Sequence, residues 1–321
     1  MTASVVPIRP EPGSPFADPA ARPLDPLKFR DPRVTAKGEA RASVALRRLE
    51  TLWINTGTLC NLACKSCYIE SSPRNDALVY VSLAEVNAFL DEAALLGTRE
   101  IGFTGGEPFM NAEVPAMIGS ALGRGFDVLV LTNAMRPMRR FEAELLALPR
   151  EHLTMRVSLD HHSRAVHEAE RGAGSWAKAL DGVRWLAEHG FRIAIAGRQL
   201  PGESQSDARA GYLRLFSELG VAVEGGLVLF PPMDSAADVP EISDACWGIL
   251  GISPDAMMCA SSRMVVKAKG AERPHVVACT LLPYDPQFAL GPTLADAGGA
   301  VPLNHPHCAR FCVLGGASCS G

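Results

Sequence analysis

Three cysteines lie close together in the run Cys60-Asn-Leu-Ala-Cys64-Lys-Ser-Cys67. Thiolates are soft ligands, and three of them on one short loop can converge on a single metal centre. A structural zinc site usually needs four closed ligands, and a bacterial ferredoxin continues with a fourth nearby cysteine. Here the next cysteine is Cys246. The spacing therefore favours a [4Fe–4S] cluster with one iron open to a further ligand, and zinc and a chance arrangement are the alternatives.

A second motif, Gly105-Gly106-Glu107-Pro108, follows a short apolar run. Paired glycines after a strand let the backbone approach a ligand closely and expose its amides and carbonyls. The Glu107 carboxylate can accept hydrogen bonds from an ammonium group, and Pro108 stiffens the exit from the turn. A tight turn between a strand and a helix explains the two glycines equally well, so this motif alone does not specify a function.

The other cysteines all lie beyond residue 245. Structural disulfides are rare in a reducing compartment, so such clusters favour metal binding or redox chemistry. Cys246 stands outside the spacing of the rest and is expected to be an ordinary buried thiol. The remaining five are Cys259, Cys279, Cys308, Cys312 and Cys319.

The elements that must position these motifs alternate in type from residue 52 onwards. Repeated alternation of strand and helix implies parallel strands with right-handed crossovers, in an open doubly wound sheet or in a full or partial (β/α) barrel. The predicted strands are Leu52–Asn55, Glu100–Phe103, Phe126–Leu131, Leu153–Leu159, Arg192–Ala196 and Val221–Phe230. The predicted helices are Leu83–Leu96, Val114–Arg124, Arg139–Ala147, Ser175–His189 and Asp207–Leu219.

Composition divides the chain into three parts. Residues 1–45 contain eight prolines between Pro7 and Pro32, and they are expected to form a tail that is mostly disordered or draped over the core, with Glu39–Arg48 as a possible helix. Residues 46–235 are the predicted core domain. Residues 236–321 are rich in Cys, Gly and Pro, so we expect little apolar core there and a segment held by metal ligation.

Charge and hydropathy narrow the class of partner. The net charge of −4 gives no overall attraction to nucleic acid or to an anionic membrane. No apolar run reaches the length that spans a bilayer, and the first residues lack the apolar centre of a secretory signal. The sequence predicts a cytoplasmic protein with no nucleic-acid or membrane partner.

A Cys-x3-Cys-x2-Cys loop after the first strand, followed by Gly-Gly-Glu-Pro after the second, resembles the radical S-adenosylmethionine (SAM) superfamily over about residues 50–230. The resemblance implies an α/β fold, a partial (β/α)6 barrel, and chelation of the open iron by SAM. It also implies that Gly105, Gly106 and Glu107 hold the methionine amino group of SAM. The residue before the last cysteine is often aromatic in this family and helps to hold the adenine of SAM. It is Ser66 here, and Tyr68 just beyond the cluster is the candidate for a cofactor contact, so the adenine contact departs from the usual pattern.

The resemblance also gives roles to polar residues at strand ends. Ser158 and Asp160 share one side of their strand and would reach the ribose hydroxyls or the substrate, although a helix cap explains them too. Arg198 would pair with the SAM carboxylate as a bidentate fork, or would lie solvated on the surface. Asn133 follows another strand and would face the site, because barrel active sites lie at the carboxyl ends of strands.

The C-terminal cysteines resemble the Twitch or SPASM extensions of the superfamily. By that resemblance, Cys259, Cys279, Cys308 and Cys312 would ligate an auxiliary iron–sulfur cluster. The alternatives are a zinc site in the same place and free thiolates that bind a thiophilic, metalloid or sulfur substrate.

The function expected from the resemblance is reductive cleavage of SAM to a 5′-deoxyadenosyl radical, which then removes hydrogen from a substrate. A flavodoxin or ferredoxin would donate the electron. The substrate would be a peptide, a protein side chain or a small metabolite, and the absence of a separate peptide-recognition domain weakens the case for a leader-guided peptide. A non-catalytic iron–sulfur or zinc scaffold is the alternative from another class, and the intact Gly105-Gly106-Glu107-Pro108 argues against it.

Overall fold

The computed structural model describes residues 13–18, 20–231 and 234–316, and Cys319 lies outside them. The strands are β1 (Ser43–Val44), β2 (Thr51–Asn55), β3 (Glu100–Thr104), β4 (Asp127–Thr132), β5 (Leu153–Ser158), β6 (Arg192–Arg198), β7 (Leu227–Phe230), β8 (Ser262–Val266), β9 (His275–Val277), β10 (Ala289–Gly291) and β11 (Val301–Pro302). The α-helices are α1 (Leu83–Leu95), α2 (Val114–Gly123), α3 (Arg136–Arg139), α4 (Glu142–Ala147), α5 (Arg164–Arg171), α6 (Ser175–Glu188), α7 (Gln205–Leu219) and α8 (Ala245–Leu250).

One sheet organises the described residues, with strand order β10-β9-β8-β2-β3-β4-β5-β6-β7. Neighbours from β8 through β2 to β7 are parallel, whereas β9 and β10 are antiparallel additions. Helices separate the successive parallel strands, as right-handed crossovers require. β7 and β10 are the two ends of the sheet, so the barrel is open. The predicted partial α/β barrel is confirmed.

The two faces of β2 show why these residues form this sheet. Leu52 and Ile54 face a core built with α1 and α2, whereas Trp53 between them faces a second core on the other side. This is the two-residue alternation of a strand that is buried on both faces. α1 begins with a capping box, in which Ser82 and Glu85 satisfy each other's backbone N–H groups.

Residues 13–18 and 20–45, here called the N-terminal strap, lie along the body of the protein. Leu24 N donates to Ala236 O at 2.7 Å, and the buried side chains of Arg41 and Glu241 form an ion pair. The prediction of a helix over Glu39–Arg48 is wrong. Ala42 and Val44 are buried on either side of exposed Ser43, and β1 pairs with β11, so alternation toward the core selects an extended backbone.

The expectation that residues 236–321 have little apolar core is also wrong. Met264, Val277, Phe288 and Phe311 are buried in the second core together with Trp53. β8 adds to the sheet beside β2, so this segment extends the barrel and packs on its inner face. None of the helices within the described ranges is long and apolar enough to cross a lipid bilayer.

A glycine at the centre of the sheet makes room for the largest side chain of the second core. A Cβ atom on Gly102 would lie 2.4 Å from the Trp53 ring. We expect Gly102→Ala to lower the free energy of unfolding by about 1–3 kcal/mol, because the ring must shift in a close-packed core. Urea unfolding followed by tryptophan fluorescence measures this change.

The matched control is Gly123→Ala at the end of α2, where nothing lies within 4 Å of the added Cβ. Alanine is the better helix former, so this variant should be as stable as the wild type or slightly more stable. Equal stabilities of the two variants would contradict the tight contact between Gly102 and Trp53.

Candidate active site

The cysteine loop begins where two backbone segments meet. Gly106 N donates to Gly57 O at 2.8 Å, and Glu107 N donates to Leu59 O at 3.1 Å. A Cβ on Gly105 would lie 2.5 Å from Gly57 O, and one on Gly106 would lie 2.3 Å from Leu59 O. Both glycines are therefore needed for close approach to the chain just before Cys60. Their predicted contact with the amino group of a ligand stays a prediction.

The three loop thiols lie in one poorly solvated place. Burial raises the pKa of Cys60 to about 12, with Glu107, Cys64 and Cys67 adding repulsion. Burial also raises the pKa of Cys64 to about 11, and Asp160 and Cys67 raise it further. These mutual effects show that the three thiols are neighbours. Thiolates in such surroundings need cationic charge, which a bound metal centre supplies.

Within the described ranges, His161, His162 and Glu203 form a set of potential metal ligands whose ligand atoms all lie within 4.8 Å of one another. The three loop cysteines are a separate set. A zinc ion with Zn–S bonds of about 2.3 Å would hold tetrahedral thiolates about 3.8 Å from one another, and a larger cube of four irons would hold them further apart. The preference for a cluster over zinc therefore rests on the spacing of the cysteines in the sequence.

The set of His161, His162 and Glu203 is better explained by hydrogen bonds than by a metal. Ser163 N donates to His161 Nδ1 at 3.0 Å, so in the neutral ring the proton is on Nε2. That nitrogen lies 3.3 Å from Glu203 Oε1 and donates to it. A protonated Nε2 is not a metal ligand.

Glu107 is a buried carboxylate with neutral partners. Thr132 Oγ1 and Asn133 N each donate to it at 2.8 Å, and Phe109 N donates at 3.4 Å. Its donors in these contacts are a hydroxyl and two backbone N–H groups, all of them neutral. Burial raises its pKa to about 7, against the hydrogen bonds from Asn133, Thr132 and Phe109 and the positive charge of Arg171. The site therefore offers a buried carboxylate that accepts hydrogen bonds from neutral donors.

Asp160 and Arg198 lie in a buried ion-pair network. Arg171 binds both oxygens of the Asp160 carboxylate, at 2.6 and 3.1 Å, and Arg198 Nε lies 3.2 Å from Asp160 Oδ1. Burial opposes ionisation of Asp160, but the two guanidinium groups outweigh it and hold its pKa well below the usual range. Arg171 and Glu170, which belong to the network, were not singled out in the sequence. The predicted ligand contacts of Asp160 and Arg198 stay predictions.

The other residues that were predicted to contact SAM differ in their burial. The Asn133 side chain is buried and donates to Asn61 Oδ1 of the cysteine loop at 2.9 Å. Ser158 is half-buried at the end of β5. Tyr68 is half-buried against the second core. The structure thus brings Asn133 to the loop, whereas the proposed roles of Ser158 and Tyr68 stay predictions.

A cleft of about 1030 Å³ opens beside the cysteine loop. It extends from Asn61 and Leu62 past the ends of β3 and β4 to α3 and the start of α6. Arg136, Arg140 and Lys178 on its walls are exposed. The cleft therefore connects solvent to the loop through a basic opening.

The C-terminal cysteines form a second group of neighbouring thiols. Burial raises the pKa of Cys308 well above its ordinary value, and Cys279 and Cys259 add to the shift. Burial raises the pKa of Cys259 to about 11. Cys312 lies on the same π-helix as Cys308, which spans Cys308–Val313. Cys246 is half-buried, and its Sγ lies 3.6 Å from Ser243 Oγ.

A sequence model described as the radical SAM superfamily matches residues 54–210. The match runs from β2 to α7 and includes both motifs with the strands that carry them. Residues 54–210 are a radical SAM domain. The predicted family is confirmed, and its enzymes use SAM and a [4Fe–4S] cluster.

Two curated relatives match the same part of the chain. One is the antilisterial bacteriocin subtilosin biosynthesis protein AlbA of Bacillus subtilis, at 33% identity over 138 residues, covering 43% of this chain and 30% of that protein. Another is the mycofactocin maturase MftC of Mycobacterium ulcerans, at 30% identity over 135 residues, covering 42% of this chain and 36% of that protein. The matched stretch of the chain spans about a third of each relative.

Solved structures match a larger share of the chain. Streptococcus suis SuiB bound to SAM gives a TM-score of 0.58 at 12% identity, covering 76% of this chain and 63% of SuiB. Native anSMEcpe with bound SAM gives a TM-score of 0.53 at 13% identity, covering 77% and 79% of the two chains. At these identities the likeness shows the fold alone.

The buried Glu107 carboxylate predicts a pH dependence in the metal-free protein. Its folded pKa of about 7 lies above the ordinary value of 4.5 for a glutamate side chain. The folded state therefore holds this proton more tightly, and the resulting stability is present below pH 4.5 and lost as pH rises through about 7. Between pH 4.5 and 7.5, we expect the wild type to lose up to about 3 kcal/mol relative to Glu107→Gln, which cannot ionise.

Urea unfolding of the metal-free protein at several pH values measures this difference. Glu144→Gln, which removes an exposed carboxylate on α4, is the matched control and should follow the wild type. A constant difference between wild type and Glu107→Gln at all pH values would contradict the raised pKa.

Proposed function

We propose that this chain is a radical SAM enzyme in which Cys60, Cys64 and Cys67 hold a [4Fe–4S] cluster. When bound, the cluster and SAM supply a 5′-deoxyadenosyl radical that removes a hydrogen atom from the substrate. The chain itself supplies three thiolate ligands, a buried carboxylate and a cleft beside the loop. The observation that carries the proposal is the Glu107 carboxylate, which is buried near Cys60 and accepts hydrogen bonds from the neutral donors of Thr132 and Asn133.

Glu107 is suited to hold an ammonium group next to the cluster. Its negative charge raises the pKa of Cys60, so the two groups interact through a poorly screened medium. The amino group of SAM would balance this charge while its neighbouring carboxylate occupies the open iron. A non-catalytic scaffold would bury the carboxylate at the same cost and gain nothing from it.

The buried cysteines of the C-terminal segment support an auxiliary iron–sulfur cluster. Cys259 and Cys308 are each 8% exposed, which suits ligands inside a core better than thiolates that must meet an incoming thiophilic substrate. Cys279 and Cys312 are half-buried beside them. We propose these four as ligands, with Cys319 as a further candidate.

A peptide is the substrate class that we propose, with a small metabolite as the alternative. Its support is the 33% identity with a bacteriocin biosynthesis protein and the 30% identity with a mycofactocin maturase. The cleft is wide enough for a side chain, and its exposed Arg136, Arg140 and Lys178 suit an acidic or C-terminal carboxylate group. A flavodoxin or ferredoxin as the electron donor stays a prediction.

Iron counting tests both clusters. Anaerobically reconstituted wild type should hold about eight irons per chain and, after reduction with dithionite, should cleave SAM to 5′-deoxyadenosine. Replacing Cys60, Cys64 and Cys67 together by Ala should abolish cleavage and leave about four irons. Cys246→Ala is the matched control and should retain both the iron and the activity.

Undiminished SAM cleavage by the triple variant would refute the assignment of the loop. A triple variant with almost no iron, whose C-terminal cysteines react readily with iodoacetamide, would favour the thiophilic substrate instead.

The affinity for SAM tests the role of Glu107. Glu107→Gln should keep iron close to the wild-type content and bind SAM about 10- to 150-fold more weakly, because a charge-assisted hydrogen bond contributes about 1.5–3 kcal/mol. Calorimetric titration of the reconstituted protein measures the change, and Glu144→Gln is again the control. Unchanged affinity would show that Glu107 has another role.

A further inference from the structure

Ser66, between the second and third loop cysteines, is held by a carboxylate that the proposed function does not use. Its backbone N and its Oγ both donate to Glu170 Oε1, each at 2.7 Å. Arg198 donates to the same hydroxyl from the other side. One carboxylate oxygen therefore fixes both the backbone and the side-chain torsion of the residue that precedes Cys67.

Glu170 on α5 is the acceptor for the loop and, at longer range, an ion-pair partner of Arg198. Its side chain is fully buried, and its backbone O also accepts from Lys65 N at 3.2 Å. The nearest cation is Arg198 at 3.8 Å, and that guanidinium lies closer to Asp160, at 3.2 Å. A buried carboxylate needs donors to offset its lost hydration. Here the short contacts of the carboxylate come from Ser66 and Ser14.

The N-terminal strap closes the other side of this carboxylate. Ser14 Oγ donates to Glu170 Oε2 at 2.7 Å, and Lys65 Nζ donates to Gly13 O at 2.9 Å. Phe16 is 2% exposed, with its ring centroid 5.3 Å from the Arg198 guanidinium carbon. The strap thus keeps water from the hydrogen bonds that hold the loop, and such bonds are stronger in a medium of low dielectric constant.

We propose that Glu170 is a positioning residue for the cysteine loop, with Ser14 and Phe16 as its cover. Glu170 holds the segment from Cys64 to Cys67 in the shape that presents both thiols to one cluster, and it does so before any cofactor binds. The expected effect on SAM rests on the proposed function, whereas the anchoring of the loop does not.

Hydrogen exchange of the metal-free protein tests the anchor without any cofactor. In Glu170→Ala, peptides that cover residues 60–70 should exchange about tenfold faster than in the wild type, because the donors of Ser66 lose their acceptor. Glu170→Gln keeps an oxygen for Ser66 and should restore slow exchange to within about threefold. Glu168→Gln on the same helix, whose carboxylate instead binds Arg164 and Gly174 N, should match the wild type.

The reconstituted protein tests the consequence for the site. Glu170→Ala retains all three loop cysteines and should bind iron close to the wild-type amount. Its apparent affinity for SAM should fall about tenfold, and the change that SAM causes in the electron paramagnetic resonance spectrum of the reduced cluster should become broader and weaker. Glu170→Gln should recover most of both signals.

If the loop peptides exchange at the same rate in Glu170→Ala as in Glu168→Gln, the anchor is refuted, whatever the iron content. If the variants change loop exchange as expected while the wild type binds neither iron nor SAM, that result would refute the proposed function and leave the anchor standing. If Glu170→Ala does not fold, Ser66→Ala is the second variant. It removes the hydroxyl that donates to Glu170 and accepts from Arg198, keeps the carboxylate, and should speed exchange about threefold. An unchanged rate in that variant also overturns the proposal.

Discussion

The backbone of Gly105 and Gly106 lies against the backbone that leads into the cysteine loop, with no space for a side chain between the two. This contact extends the pairing of β2 and β3 by two hydrogen bonds beyond the ends of the strands. It fixes the point at which the loop leaves the sheet, and it places Glu107 at the base of that loop. A side chain at either glycine would separate the Glu107 carboxylate from Cys60. Both motifs therefore depend on this close contact between the two backbone segments.

The barrel could be predicted from the sequence because its strands are apolar on both faces and recur with helices between them. Among the elements that were missed, α5 and β8 were missed for different reasons. α5 buries His167 and Glu170, so its inner face is polar and the usual hydrophobic pattern of an amphipathic helix is absent. β8 is a short strand in a segment that was expected to be held by metal ligation. It contains Arg263, which is buried because backbone carbonyls of Cys259, Ala297 and Gly299 accept from its guanidinium.

The residues of the candidate site also divide into those that the sequence predicted and those that it did not. Cys60, Glu107 and Asn133 were predicted because each sits in a local motif or at a strand end. The partners of Asp160 and Arg198 were not, since Arg171 and Glu170 come from the missed helix and Phe16 from a strap expected to have little structure. In this network two carboxylates face two guanidinium groups, so its charges balance. Removing one member would leave a buried charge unpaired, which is why such groups stay together.

β8 joins the sheet directly beside β2, although the paired residues Thr51 and Ser262 are about 210 positions apart in the chain. At a synthesis rate of about 5–20 residues per second, the ribosome makes β8 about 10 to 40 s after β2. During that time the strand that leads into the cysteine loop has one bare edge, and the inner face that carries Trp53 is uncovered. The short length of β2 limits pairing with other chains in this interval. Under the proposed function, iron delivered to the loop before β8 is made would meet an unfinished barrel, so the order of translation would set the earliest moment at which a complete site is available.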